Sequence, residues 1–204
     1  MPGKFIDLSL ELSEKTPVFP GDPAPIIKQV FSIQPNGSSL HFYSFGGHSS
    51  THIDAPAHFM EKGQKLSEIS LENFCGEGIV VHSQNLNVID IDILDNIKVS
   101  KDQIVFFRTD YISNIDKEDY FSAYPVISER LAGRLTELKV KMIGIDSPSP
   151  DRDPWPVHKI LLPKNILIIE NLCNLDKLPE RFKVYAFPIK VKTDGVPVRV
   201  VAEI

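Results

Sequence analysis

The sequence of 204 residues contains only two cysteines, Cys75 and Cys173, so a framework of several disulfides is excluded. No apolar run exceeds four residues, and no helix is therefore expected to span a bilayer. A basic excess is also missing, because 22 Lys and Arg stand against 27 Asp and Glu, for a net charge of −5. This balance argues against nucleic acid as a partner. We expect a cytoplasmic protein, independent of membranes, with reduced structural cysteines.

Nucleotide-binding signatures are absent as well. Neither G-x-G-x-x-G nor G-x-x-x-x-G-K-[ST] occurs, so a nucleotide cofactor has no support. No linker rich in Gly and Ser or in Pro and Glu divides the chain. A chain of this length can bury most of its surface in one core. We therefore predict a single domain over residues 1–204.

Short segments rich in β-branched, aromatic and other apolar residues predict strands. They lie at 5–10, 26–33, 40–45, 78–81, 104–107, 142–145, 166–169, 184–189 and 196–204, the last after a turn at Thr193-Asp194-Gly195. A helix is predicted at 128–138, where Ser128 is a typical N-cap and the leucines recur on one face. Shorter helices are expected at 67–74 and 91–97. The prediction is a mixed α/β fold, strand-rich, with a partly antiparallel sheet.

Histidine is the most unevenly distributed residue, since four of the six fall between positions 41 and 58. Three of them form the pattern H-x3-H-x-D-x3-H, made by His48, His52, Asp54 and His58. Pro56 would break a helix here, and one continuous strand would spread the pattern over roughly 33 Å. The segment must therefore bend if these side chains are to meet, and the two glycines before it permit a bend.

Two imidazoles and one carboxylate are a ligand set suited to Zn²⁺ or Mn²⁺. Three protein ligands leave a coordination position free for water, as in catalytic sites, and His58 nearby suits a general acid or base. The best candidates for further ligands are His158, after a proline-rich loop, and Glu170, at the end of an apolar strand. Burying such a carboxylate costs free energy unless it is paired with Lys or Arg or bound to a cation; otherwise Glu170 is simply exposed at the end of the strand. His41 and His82 are expected to be ordinary strand and surface residues.

The segment from His48 to His58 resembles the H-x-G-T-H-x-D-x-P-x-H signature of the cyclase-like metal-dependent hydrolases. That family includes the bacterial kynurenine formamidases (arylformamidases), whose length also matches, and the isatin hydrolases. Three further stretches carry the resemblance over nearly the whole chain: 17–22 with P-x-[WF]-P-G-D, 144–149 with G-x-D-[ST]-x-S, and 158–175 with H…E-x-L-x-N-L. Ser50 replaces the glycine of the signature, and would be strained if that position needs a positive φ.

The resemblance implies a swivelling β/β/α domain, a homodimer or homotetramer, and two divalent metals in each chain. The implied metal ligands are His48, His52, Asp54, His158 and Glu170, with Asp54 bridging both metals. His58 would be the catalytic acid or base.

The reaction implied by the resemblance is hydrolysis of a C–N amide bond. The substrate would be an aryl formamide such as N-formylkynurenine, with kynurenine and formate as products. Phe19 and Trp155, in the two proline-rich loops, would then be aromatic walls for the substrate, or simply packing residues. Hydrolysis of a cyclic amide of the isatin type, and metal binding without catalysis, are the alternatives.

Overall fold

The computed structural model describes residues 3–204 of the chain. Within them the strands are β1 (Phe5–Asp7), β2 (Ile26–Phe31), β3 (Leu40–Ser44), β4 (His52–Asp54), β5 (Cys75–His82), β6 (Val88–Ile89), β7 (Ile104–Arg108), β8 (Val126–Ile127), β9 (Met142–Ile145), β10 (Leu167–Glu170), β11 (Arg181–Tyr185), β12 (Gly195–Pro197) and β13 (Val201–Glu203). The α-helices are α1 (Ile33–Asn36), α2 (Glu129–Leu138) and α3 (Pro156–Leu161). Short 3-10 turns lie at Pro56–His58, Leu66–Glu68, Leu71–Phe74, Ile91–Leu94, Tyr111–Asn114, Leu162–Lys164 and Leu175–Lys177. None of these helices is long and apolar enough to cross a membrane.

Most strands join one mixed sheet in the order β1-β13-β11-β5-β7-β9-β10-β4-β12. Its centre, β5-β7-β9-β10, is parallel, whereas the flanking strands pair antiparallel. The central strands read as unbroken apolar runs because both faces of a parallel sheet are covered. The predicted strand-rich mixed α/β fold with a partly antiparallel sheet is confirmed.

Alternate residues of the central strands enter two separate apolar clusters, one on each face of the sheet. In β7, for example, Ile104 and Phe106 belong to one cluster, and Val105 and Phe107 to the other. Helices α2 and α3 pack on the second cluster. The prediction of α2 is confirmed, with the Ser128 hydroxyl accepting a hydrogen bond from the Leu131 amide at 3.0 Å.

Several predicted element boundaries are wrong. The strand expected at 184–189 is β11, which already ends at Tyr185. It could not have continued through Pro188, because proline has no backbone N–H to pair with a neighbouring strand. The segment 196–204 forms two short strands, and the helices expected at 67–74 and 91–97 are 3-10 turns. Helix α3 was not predicted, although Pro156 occupies its first position, where a missing N–H costs nothing.

Candidate metal centre and active site

The antiparallel pairing of β4 with β10 brings together residues that are distant in sequence. His52 lies opposite Glu170, so the two side chains share a face of the sheet, and Asp54 follows on that same face. Ile53, between them, points to the other face and packs in the first apolar cluster. His52 Nε2 lies 3.2 Å from Glu170 Oε2 and 3.5 Å from Asp54 Oδ1. The sheet therefore supplies three of the five predicted ligands.

Helix α3 supplies His158 from above this face. Its Nε2 lies 3.3 Å from Glu170 Oε1 and 3.6 Å from Asp54 Oδ2, and its Nδ1 lies 2.6 Å from Asp151 Oδ1. The other oxygen of Asp151 accepts hydrogen bonds from the amides of Val157 and His158. Asp151 thus orients the imidazole, a contact typical of histidines that bind metals. Sequence reasoning missed Asp151, because an aspartate in a proline-rich loop is common.

His48 completes the group from the bend that precedes β4. Its Nδ1 lies 2.8 Å from Asp54 Oδ1 and its Nε2 lies 3.1 Å from Asp194 Oδ2. The potential ligand atoms form two sets, within each of which all atoms lie within 4.8 Å of one another, and Asp54 belongs to both sets. The sets are His48, Asp54 and His58, and His52, Asp54 and Glu170. The structure thus brings together all five predicted ligands, and places His58 beside them.

The buried carboxylates of this cluster lack the partners that a folded protein normally provides. Within residues 3–204, no Lys or Arg forms an ion pair with Asp54 or Glu170, whose neighbours are imidazoles. Both Asp54 oxygens, Glu170 Oε1 and His52 Nε2 are buried without an oriented hydrogen bond. Leaving such groups unsatisfied is costly. A divalent cation would satisfy them, so the residues fit a metal.

The electrostatics of the cluster also favour a cation. Burial opposes protonation of His48, but the Asp54 carboxylate outweighs it and raises the pKa of His48 to about 10. The same balance raises the pKa values of His52 and His158, and the imidazoles in turn outweigh burial and lower those of Asp54 and Glu170. The site therefore retains negative carboxylates and attracts positive charge, which a divalent metal supplies in place of protons.

A cavity of about 270 Å³ opens onto these residues. Phe19 and Trp155, the two predicted wall residues, both line it, with ring centroids 5.9 Å apart. Phe121 adds a third aromatic wall, 5.6 Å from Phe19, which the sequence did not indicate. The cavity thus combines an aromatic side with a floor of imidazoles and carboxylates.

His58 lies at the end of a 3-10 turn and lines the same cavity. Its ring stacks on that of His48 at 4.0 Å, and its Nδ1 lies 3.2 Å from Asp194 Oδ2. Burial outweighs the Asp54 carboxylate and lowers the pKa of His58, so the ring is neutral at pH 7. A neutral imidazole facing a cavity is suited to accept a proton.

Comparison with known proteins places this geometry in context. The family model described as "Putative cyclase" matches residues 6–152. The chain belongs to the putative cyclase family. Kynurenine formamidase of Geobacillus thermodenitrificans (strain NG80-2) is 31% identical, over 98% of this chain and 97% of its own length. Kynurenine formamidase of Erythrobacter litoralis (strain HTCC2594) is 30% identical, over 93% and 88%.

Solved structures show the same fold. Isatin hydrolase A from Labrenzia aggregata superposes with a TM-score of 0.91 at 22% identity, covering 98% of this chain and 93% of its own. A predicted metal-dependent hydrolase from Bacillus stearothermophilus superposes with a TM-score of 0.83 at 25% identity, covering 98% of each chain. The fold expected from the resemblance is confirmed, and this member of the cyclase family is a hydrolase.

Ser50, where this cyclase-family chain departs from the glycine of the signature, adopts a left-handed conformation with φ of 58°. Its carbonyl accepts a hydrogen bond from Asn171 Nδ2 at 3.1 Å and lies 2.9 Å from His52 Nδ1. The backbone conformation thus aims the carbonyl at the His52 ring. Since non-glycine residues disfavour this region, the expected strain is present.

Replacing Ser50 by glycine is expected to stabilise the protein modestly. Left-handed backbone costs a non-glycine residue ~1 kcal/mol or more. Glycine also makes the unfolded chain more flexible, which lowers stability by ~0.5–1 kcal/mol. We therefore expect the free energy of unfolding to rise by a net ~0.5 kcal/mol. Urea unfolding of the two proteins measures it. Ser49→Gly is the matched control, because Ser49 is equally buried without a positive φ, and it should lose stability. Equal loss in both variants would contradict strain at Ser50.

Proposed function

We propose that the protein hydrolyses the C–N bond of an aryl formamide, such as N-formylkynurenine, to an aryl amine and formate. The observation that carries this proposal is Asp54, a buried carboxylate shared by two potential ligand sets whose other members line an aromatic-walled cavity. Full-length relatives named kynurenine formamidase support the choice of substrate.

The metal is proposed to be Zn²⁺ or Mn²⁺, with two ions in each chain. In the grouping that the family resemblance implies, His48, His52 and Asp54 would hold one, and Asp54, His158 and Glu170 would hold the other. A divalent cation held there supplies Lewis acidity toward a carbonyl oxygen and toward water. The unsatisfied buried oxygens of Asp54 and Glu170 support these assignments.

The residues of the chain provide the remaining parts of the reaction. His58, neutral at rest, takes a proton from the attacking water and passes it to the nitrogen of the leaving group, which departs as an amine because an amide anion is too basic to leave. Phe19, Phe121 and Trp155 contact the aryl ring and exclude water from its faces. Asp151 holds the ring of His158 in a fixed orientation.

A substrate panel joined to metal analysis tests the proposal. Purified protein is analysed by mass spectrometry after mild dialysis, stripped with a chelator, and reloaded separately with Zn²⁺ and Mn²⁺. Each form is assayed with an aryl formamide, an alkyl formamide of similar size and isatin. We expect metal-dependent turnover that is highest with the aryl formamide. Faster turnover of isatin would identify a cyclic amide hydrolase, and bound metal without turnover of any amide would identify a metal-binding protein.

A homodimer or homotetramer is proposed as the assembly. The β2–β3 hairpin pairs only within itself among the described strands, and an isolated hairpin is marginally stable. Phe31, Leu40 and Phe42 lie on one face of it, exposed by 44%, 50% and 54%. An exposed apolar face of this kind is typical of an interface. Sedimentation equilibrium measures the mass, and a monomer at micromolar concentration would contradict the proposal.

The single domain over 1–204 and the cytoplasmic location stay predictions.

A further inference from the structure

Asp194, in the turn before β12, contacts two imidazoles with one oxygen. Its Oδ2 lies 3.1 Å from His48 Nε2 and 3.2 Å from His58 Nδ1. Its Oδ1 accepts a hydrogen bond from the Thr193 hydroxyl at 2.9 Å. An aspartate is ionised at neutral pH, so both oxygens of Asp194 can only accept hydrogen bonds.

The sheet holds this turn in place. Strand β12 pairs with β4, with Gly195 opposite Asp54, and the carbonyl of Asp194 accepts a hydrogen bond from the Ala55 amide at 2.8 Å. A side chain at Gly195 would not fit, since its Cβ would lie 2.4 Å from Cε1 of His48. The backbone thus approaches the His48 ring directly, and the position of the Asp194 carboxylate follows from strand pairing.

An acceptor at these two ring nitrogens determines where the protons of the imidazoles lie. A neutral imidazole carries one N–H, and the nitrogen that faces Asp194 must be the one that carries it. For His48 in the metal-loaded protein, this keeps the single proton on Nε2 and leaves Nδ1, 2.8 Å from Asp54 Oδ1, free to bind the metal. For His58 it leaves Nε2 unprotonated, in a ring that lines the cavity. One carboxylate therefore sets the tautomers of both rings.

We propose that Asp194 is a positioning residue for the reaction, an inference that rests on the proposed function of the site. By accepting from His48 Nε2–H and His58 Nδ1–H, it presents Nδ1 of His48 to the metal and Nε2 of His58 to the substrate. Asp151, by comparison, contacts one histidine, whereas Asp194 contacts both a proposed ligand and the proposed base. Carboxylates in this outer position commonly contribute 10- to 100-fold to metal affinity or activity.

The tautomers can be measured directly in the wild-type protein loaded with Zn²⁺. Long-range ¹H–¹⁵N spectra of histidine-labelled protein distinguish Nδ1–H from Nε2–H rings, and His58→Ala assigns the His58 signals. We expect the Nδ1–H form for His58 in the wild type, and a mixture of both forms in Asp194→Asn. The Nε2–H form for His58 in the wild type would overturn the proposal, whether or not the variant folds.

Kinetics and metal affinity provide the second measurement. We expect Asp194→Asn to lower kcat by about 10- to 100-fold with little change in KM for the aryl formamide, and to weaken Zn²⁺ binding in competition with a chromophoric chelator. Asp194→Glu should recover part of both. At saturating Zn²⁺, the double variant Asp194→Asn, His58→Ala should be no slower than His58→Ala, because the effect of Asp194 on kcat acts through His58. Asp92→Asn, an exposed aspartate remote from the cavity, is the control and should match the wild type.

The outcomes separate this proposal from the proposed function. If the wild type hydrolyses aryl formamides while Asp194→Asn keeps its kcat, metal affinity and tautomers, the positioning role is wrong and the function stands. If no amide is hydrolysed but Asp194→Asn changes the His58 tautomer and weakens Zn²⁺ binding, the function is wrong and the positioning role stands. A loss in the double variant that equals the product of the single losses would contradict action through His58.

Discussion

Replacement of His58 by alanine is expected to lower kcat by about 10²- to 10⁴-fold, the usual contribution of a general acid or base. The variant should keep most of its metal, because the five other residues of the cluster remain. The loss arises because the proton of water and the proton of the leaving nitrogen no longer have a carrier. Steady-state kinetics with an aryl formamide and metal analysis of the same preparation measure the two quantities together.

His82→Ala is the matched control, since His82 is an exposed histidine at the end of β5 and should be replaced without loss of kcat or metal. The proximity of His58 to His48 and Asp54 leaves one competing role, that of a ligand. Loss of metal in step with activity would assign His58 to the ligand set. Loss of neither would assign it to packing, and the proton would then be moved by Glu170 or by the metal site itself.

The pH dependence of turnover gives a second measure of His58. Burial lowers its pKa below the ordinary value of 6.5, so its neutral, proton-accepting form predominates at pH 7 and is lost as the pH falls through the lowered pKa. Activity of the wild type should therefore fall on the acid side of that value. Water at a metal titrates in a similar range, so comparison with the His58→Ala profile is needed to assign the group.

Replacement of Asp54 by asparagine is expected to remove stable metal binding, and turnover with it, more completely than replacement of any other single ligand. Both potential ligand sets include the Asp54 carboxylate, whereas an amide has no charge and only one oxygen. Bound metal stabilises the fold by about 2.7 kcal/mol at a free concentration 100 times its Kd. Thermal unfolding with and without chelator should show that gain in the wild type and not in the variant.

Removal of a buried charge adds a second expectation for Asp54→Asn. Because the neighbouring imidazoles pair with this carboxylate and lower its pKa, the variant should be less stable than the metal-free wild type. Asp146→Asn is the matched control: Asp146 is equally buried but accepts its hydrogen bonds from Thr109 and Asp110. It should lose stability and keep its metal. Full metal content and turnover in Asp54→Asn would contradict the shared role.

The local pattern of the sequence was sufficient for much of the fold. Unbroken apolar runs identified the central strands, since strands buried on both faces carry no polar residues, and Ser128 with the following leucines identified α2. The short strand β4 was expected only as an extended stretch. Two of its three residues are polar, so it lacks the run of apolar residues that marks a buried strand. Helix α3 was missed because six residues between prolines give too short a helical period to detect.

The candidate site divides in the same way. The sequence by itself determined the types of metal ligand, through the spacing of His48, His52, Asp54 and His58. It also indicated Glu170, because a carboxylate after four apolar residues needs a partner. Only the tertiary structure decided which distant residues meet them. Pairing of β4 with β10 and β12 places Glu170 and Asp194 beside the histidines, and these pairings are non-local. Asp151, Phe121 and Asp194 carry no local signal, since each acts through contacts that exist only once the sheet and its loops have assembled.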